Sequence, residues 1–129
     1  MKYCPCGTGN EYLNCCGIFI SGQKTPPTPE ALMRSRYTAY HLIDMDYIAN
    51  TMKSPAADHF DVKATTKWAK KVNWTQLEII KTIDGSETAY VEFRAHYNLK
   101  NKKYILHETS EFSFQDGKWY YVNGEWHTN

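Results

Sequence analysis

At 129 residues the chain can form one compact domain with a small appendage but not two ordinary domains, and its 42% hydrophobic and 15% aromatic content suits sheet surfaces around a bulky interior. Fifteen basic against fourteen acidic side chains leave a net charge of +1, so no field of one sign gathers nucleic acid or anionic lipid, and no specific nucleic-acid partner is expected. No apolar run reaches the roughly 20 residues of a membrane helix and none resembles a leader after Met1, which predicts a soluble cytoplasmic protein with no membrane partner.

All four cysteines fall within the first sixteen residues. Cys4 and Cys6 flank Pro5, a Gly7-Thr8-Gly9 turn reverses the chain, and Cys15 and Cys16 return as an adjacent pair before Gly17. Glycine at these three positions supplies the backbone angles of a tight metal loop. Four thiolates satisfy tetrahedral zinc at a sulfur–metal distance of about 2.3 Å, and a closed shell of sulfurs leaves no position for substrate, so zinc here would be structural. A reducing compartment disfavours disulfides. The spacing is tighter than the usual two or more intervening residues, and by itself it leaves open disulfides between the two pairs, free thiols, or an iron–sulfur cluster.

The stretch Cys4-Pro5-Cys6-Gly7-Thr8-Gly9, with Tyr12 and Cys15-Cys16-Gly17, resembles the SEC-C motif. This small zinc module is found at the carboxyl end of the bacterial secretion ATPase SecA and in several other bacterial proteins; Thr8 stands where the motif more often has Ser. The resemblance implies zinc ligation by Cys4, Cys6, Cys15 and Cys16. In the ATPase the module docks partner surfaces, which implies a protein partner here.

After a short apolar patch, Ile18 to Ile20, the stretch SGQKTPPTPE has the composition of a semi-rigid linker. The boundary falls near residue 28, giving a cysteine arm with linker over 1–27 and a second domain over 28–129. Stripping the metal is expected to disorder the chain before about Thr25 and leave that domain folded. Thr28 as N-cap, Pro29 at the first helical position and Glu30 in the first turn predict a helix from Pro29 to about Ile43. A shorter helix is expected over Met45 to Met52, ending before Pro55. The spacing of Ala64, Trp68 and Val72 predicts a third, from Asp61 to Val72, whose Lys63, Lys67, Lys70 and Lys71 form a solvated face. Beyond Trp74 the period changes to two. Strands are predicted near Thr75 to Ile83, Thr88 to Leu99, Lys102 to Gln115 and Lys118 to Asn123, separated by the turn signals DGSE, KNKK and QDGK.

Helices followed by a meander define an α+β fold, with helices packed on one face of a curved four-stranded antiparallel sheet. The order resembles the cone-shaped, cystatin-like fold of nuclear transport factor two (NTF2-like). With the cysteine arm in front, the chain is identified as a member of the bacterial YchJ family on Arg34 to Tyr40 (RSRYTAY), Tyr47 to Thr51 (YIANT), Trp68, and the segments HETSEF and DGKWYYVNG between His107 and Gly124. That family resemblance implies no particular reaction.

Within the cone two periodicities select candidate site residues. At 100° per residue the first long helix gathers Leu32, Met33, Ala39, Tyr40 and Ile43 on one arc, with Arg36 in its middle; Arg34, Thr38 and His41 fall on the opposite arc and should meet solvent. In the third strand Tyr104, Leu106, Glu108, Ser110, Phe112 and Phe114 alternate onto the inner face, and His107 onto the outer. Arg36 and Glu108 are therefore expected to form a buried ion pair, or, with Tyr40 and Ser110, to line a pocket. Filling of the cone by Phe93, Phe112 and Phe114 would count against the pocket. The reading that follows is a zinc-binding interaction protein whose arm docks a protein or ribosomal partner. Its alternative is a small-molecule-binding or catalytic cone of isomerase or dehydratase type, in which a carboxylate works beside neutral donors such as Tyr40 or Ser110. No nucleophile with its base, Gly-rich phosphate loop, or His and carboxylate set at metal-ligand spacing stands out in the sequence.

Overall fold

The computed structural model describes residues 2–128. A one-turn 3-10 helix, Tyr12–Asn14, and helix α1, Cys16–Ile20, close the cysteine arm. There follow α2 (Pro29–Leu42), α3 (Met45–Asn50), a 3-10 turn at Ala56–His59, and α4 (Val62–Lys71). Strands β1 (Asn73–Ile83), β2 (Thr88–Leu99), β3 (Lys102–Gln115) and β4 (Lys118–Trp126) make one antiparallel meander in the order β1-β2-β3-β4. None of the helices is long and apolar enough to cross a membrane.

Local chemistry accounts for the helix starts. Thr28 Oγ1 accepts from the Ala31 amide at 3.1 Å, Asp44 Oδ1 from Tyr47 at 3.1 Å and Asp61 Oδ1 from Ala64 at 3.0 Å, so three orphaned N-terminal amides are satisfied by side chains. The strands are joined where turn residues take positive φ: Lys100 and Asn101 between β2 and β3, Asp116 and Gly117 between β3 and β4. Register shifts between Trp74 and Gln76, between Ile79 and Lys81, and beside Glu111 and Phe112 mark bulges, which bend the sheet.

The bent sheet holds α2 against its inner face, and the core runs from Leu32, Met33 and Tyr37 of α2 to Trp74, Val91, Phe93, Ala95 and Phe112 of the sheet. Cys4, Cys6 and Cys16 belong to that same cluster, so arm and cone share one apolar interior. The arm covers Arg34 and Thr38 of the α2 arc expected to face solvent, while His41 on that arc is exposed. Thr38 is fully buried and its hydroxyl lies 3.7 Å from Cys4 Sγ, while Arg34 donates to the Cys6 carbonyl at 2.7 Å. A helical wheel assumes one covered face; α2 is covered on two.

Other differences from the sequence expectation are local. Ala64 is exposed and Ala69 is the buried residue of α4. Tyr104 and Phe114, at the two ends of the inner row of β3, run beyond the helices and are exposed. Helix α3 stops at Asn50 because the next residues pair with β4: Tyr121 donates its amide to the Thr51 carbonyl at 2.9 Å and Lys53 donates to Tyr121 at 3.0 Å. Strand β4 continues past Asn123 to Trp126, with Gly124 paired to Ser110 and Trp126 to Glu108.

Candidate functional site

The cysteine arm is built by a tight reversal. Tyr3 and Glu11 form an antiparallel bridge, the Cys4 amide donates to Asn10 at 2.8 Å, and the Tyr12 amide donates to Lys2 at 2.8 Å. The adjacent pair then enters α1, where only glycine fits after it: a Cβ on Gly17 would sit 2.7 Å from the Tyr12 carbonyl oxygen. Cys4, Cys6, Cys15 and Cys16 are all free thiols, and their sulfurs lie within 4.8 Å of one another. Cys6 and Cys15 sulfurs are 3.6 Å apart. Three of the four are buried and Cys15 is half-buried. Hydrogen bonds from the Cys16 and Cys6 thiols hold Cys4 far below the usual thiol range, and the same contact with Cys4 pushes Cys16 far above it. Thiolates gathered this closely are the donor set of a soft divalent cation, which binds by displacing the thiol protons. The four closely spaced cysteines fit a metal site.

The second site lies inside the cone. A cavity of about 290 Å3 is lined by Arg36, Tyr40, Glu108 and Ser110 among aromatic walls that include Trp74 and Tyr121. Phe93 and Phe112 are packed beneath it without filling it, and Phe114 lies outside. Tyr40, Trp68, Leu106 and Trp126 line both this cavity and a groove outside it, which makes them its threshold.

Arg36 and Glu108 do not form the ion pair expected from their periodicities. The guanidinium Nη1 donates instead to the Ile48 carbonyl at 2.8 Å and to Thr51 Oγ1 at 2.7 Å, and the group lies over the Tyr121 ring, 4.7 Å from its centroid. Thr51 is oriented to accept by donating its own hydroxyl to the Tyr47 carbonyl at 2.7 Å. Glu108 takes donors of its own: Ser110 Oγ at 2.6 Å and Tyr121 OH at 3.4 Å on Oε2, and Trp126 Nε1 at 3.0 Å on Oε1. Tyr121 stands between the two charges, offering its π-face to one and its hydroxyl to the other. Burial pushes the Tyr121 and Tyr40 phenols upward, so both remain neutral donors. Burial pulls Arg36 downward, opposed by the surrounding phenols and Glu108; a guanidinium stays charged in any protein. Gly124 makes room for this arrangement: a Cβ there would lie 2.5 Å from Tyr121 OH and 2.7 Å from Glu108 Oε2.

Sequence reasoning did not select Thr51, Tyr121 or Trp126. Thr51 and Tyr121 lie inside the segments YIANT and DGKWYYVNG, which carry the family resemblance, but no period assigns them inward. Trp126 lies beyond Asn123, the strand end expected from the sequence. On the outer face His107 is nearly buried against Glu92, Nε2 to Oε2 at 2.7 Å, and its ring stacks on His127 at 4.3 Å. Glu92, His107 and His127 thus gather three ligand atoms, but near-parallel rings, 21° apart, do not direct their in-plane lone pairs at a common point.

With this geometry in view, the comparisons with known proteins agree on both halves. The family model described as YchJ, middle NTF2-like domain, matches residues 28–124. A UPF0225 protein of Geobacter sulfurreducens is 39% identical over 124 residues, 94% of this chain and 77% of that protein. Another from Chromobacterium violaceum is 42% identical over 128 residues, 94% of this chain and 90% of that protein. The solution structure of a SEC-C motif containing protein from Rhodopseudomonas palustris superposes with a TM-score of 0.88 at 35% identity, covering 97% of this chain and 98% of that one. An NTF2-like cone fronted by a SEC-C-type cysteine arm is therefore the class this structure defines. Within it, the chain belongs to the YchJ family.

Proposed function

We propose that Cys4, Cys6, Cys15 and Cys16 bind one zinc ion as a structural fastener, and that the cone takes up a small organic molecule in the cavity around Arg36, Tyr40, Glu108 and Ser110. The zinc reading is supported by donor chemistry and spacing. Sulfurs at about 2.3 Å on a tetrahedron stand about 3.8 Å apart, close to the 3.6 Å between Cys6 and Cys15 and far from the roughly 2.05 Å of a disulfide. A reducing cytoplasm, the compartment proposed for this protein, keeps such thiols available for metal.

The single observation that carries the ligand reading is the cavity itself, about 290 Å3 left open beside a buried cation in a core otherwise rich in large rings. Interiors normally close such space, and pockets of a few hundred cubic ångströms with a few convergent polar groups are where small molecules bind. Binding is favoured over proton-transfer catalysis because Glu108 is already committed to three donors. Docking of a protein or ribosomal partner through the arm is a second reading, favoured by Tyr3 and Leu13, which the arm leaves 62% and 75% exposed.

Native mass spectrometry of reduced, chelator-free protein tests the first reading directly. One zinc per chain is expected, with a further mass retained after incubation with a metabolite extract. Recovery of folded, metal-free protein would remove the zinc, and a cone that retains nothing from such extracts would remove the ligand.

A further inference from the structure

The cavity holds a permanently charged group that the protein itself only half uses. Arg36 is 6% exposed, and both of its hydrogen bonds leave from Nη1. Nε and Nη2 make no hydrogen bond among the described residues, yet neither is fully enclosed by protein atoms; Trp74 Nε1 is the one side-chain nitrogen or oxygen there that is both fully enclosed and without a partner. Because Arg36 lines the cavity, the unused side of its guanidinium opens on it. Nε–H and one N–H of Nη2 lie parallel on that side of the plane, at the spacing of two carboxylate oxygens. Tyr40, half-buried on the same wall, has a hydroxyl with no protein partner among the described residues.

The remaining walls say what the rest of a ligand must be. Trp74 has the rings of Tyr37, Tyr40, Trp68 and Tyr97 at centroid distances of 5.3 to 6.5 Å, an aromatic enclosure that welcomes a flat apolar body. Aromatic walls alone would equally suit a cation, but Arg36 in the same space repels one. A dianion is disfavoured because the site offers one guanidinium and Glu108 contributes a negative charge to the same lining. At about 30 Å3 per water-sized group, the volume of about 290 Å3 admits on the order of ten non-hydrogen atoms.

We infer that the cone's ligand is a small monocarboxylate with a flat apolar body, its two oxygens held on the Nε/Nη2 edge of Arg36 with Tyr40 as an added donor. The inference rests on the ligand-binding reading above and deepens it.

The test is a titration of zinc-replete, 15N-labelled protein with benzoate, with benzamide as an uncharged probe of the same shape, and with inorganic phosphate. Benzoate should move the amides of Ala95, Leu106 and Ser110 saturably and perturb Trp fluorescence, binding about tenfold or more tighter than benzamide. Arg36→Lys, which keeps the charge and removes the planar fork, should reduce that preference at least about tenfold. If Arg36→Lys fails to fold, Tyr40→Phe carries the test, with an expected loss of about threefold to tenfold for benzoate and little for benzamide. Equal binding of benzoate and benzamide, or tighter binding of phosphate, would overturn the carboxylate assignment and leave the ligand-binding cone standing. No cavity amide moving with any probe would overturn both.

Discussion

The arm and the cone carry their chemistry in opposite ways. The arm draws four thiols from sixteen consecutive residues, and a reversal of the chain is enough to gather them. The cavity draws Arg36 from α2, Glu108 and Ser110 from β3, and Tyr121 and Trp126 from β4, so its site exists only once the sheet is bent and β4 has paired with Thr51. A site of local residues can be read from spacing, whereas one assembled from distant elements needs register. The two also differ in what would hold them: on the zinc reading proposed above, a metal for the first, and packed rings with a chain of hydrogen bonds for the second.

Metal removal should have the largest effect, because the difference between the regions does not extend to their packing. Cys4, Cys6 and Cys16 lie in one cluster with Leu32, Met33, Tyr37 and Trp74. Structural zinc contributes free energy comparable with a domain's total of about 5–15 kcal/mol. Chelation under reducing conditions should therefore lower the thermal midpoint of the whole molecule, not only loosen residues before about Thr25, and should shift amides along α2. Unchanged α2 and sheet resonances in chelated protein would make the arm a separable appendage after all.

Next in size is Arg36→Met, which removes the charged donor from the Ile48 carbonyl and the Thr51 hydroxyl and should cost about 2–4 kcal/mol in urea unfolding. Double-mutant cycles should show Arg36 coupled more strongly to Thr51 than to Glu108, the latter coupling staying below about 1 kcal/mol because no direct contact joins them. Strong coupling to Glu108 would instead restore the ion pair expected from the sequence.

Much of the fold was legible because its signals are local. Thr28-Pro29-Glu30 starts α2, Asp116-Gly117 turns β3 into β4, and alternation in β3 points Glu108 and Ser110 inward. Both charges were correctly directed toward the interior. Their pairing was not correct, because a period gives the direction of a side chain but not its partner, and each charge was already answered by a neighbour brought in by the α3–β4 pairing. The four cysteines were legible as a set from spacing and chemistry. The surface they rest on was not: nothing in α2 itself distinguishes a solvated Arg34 and Thr38 from ones covered by a preceding loop of the chain.

That covered arc supplies the smallest effect and the sharpest comparison of the two regions, since Thr38 belongs to the cone by sequence and to the cysteine cluster by contact. Its hydroxyl lies 3.7 Å from Cys4 Sγ and is fully buried. With a metal bound, Cys4 is a thiolate, so the hydroxyl must be the donor, and an O–H directed at a ligating sulfur spreads its charge and fixes its orientation. Thr38→Val keeps the shape and removes the donor. Zinc affinity measured by competition with a chromophoric chelator should fall about tenfold, the lower end of what outer contacts to a metal site contribute, and Thr38→Ser should restore most of it. The cavity lies on the other arc of α2, so benzoate binding in the Thr38→Val protein should be unchanged. If the valine variant holds zinc as tightly as the parent, the cone merely shelters the cysteine cluster; if it loses affinity that serine regains, α2 serves the metal on one side and the cavity on the other.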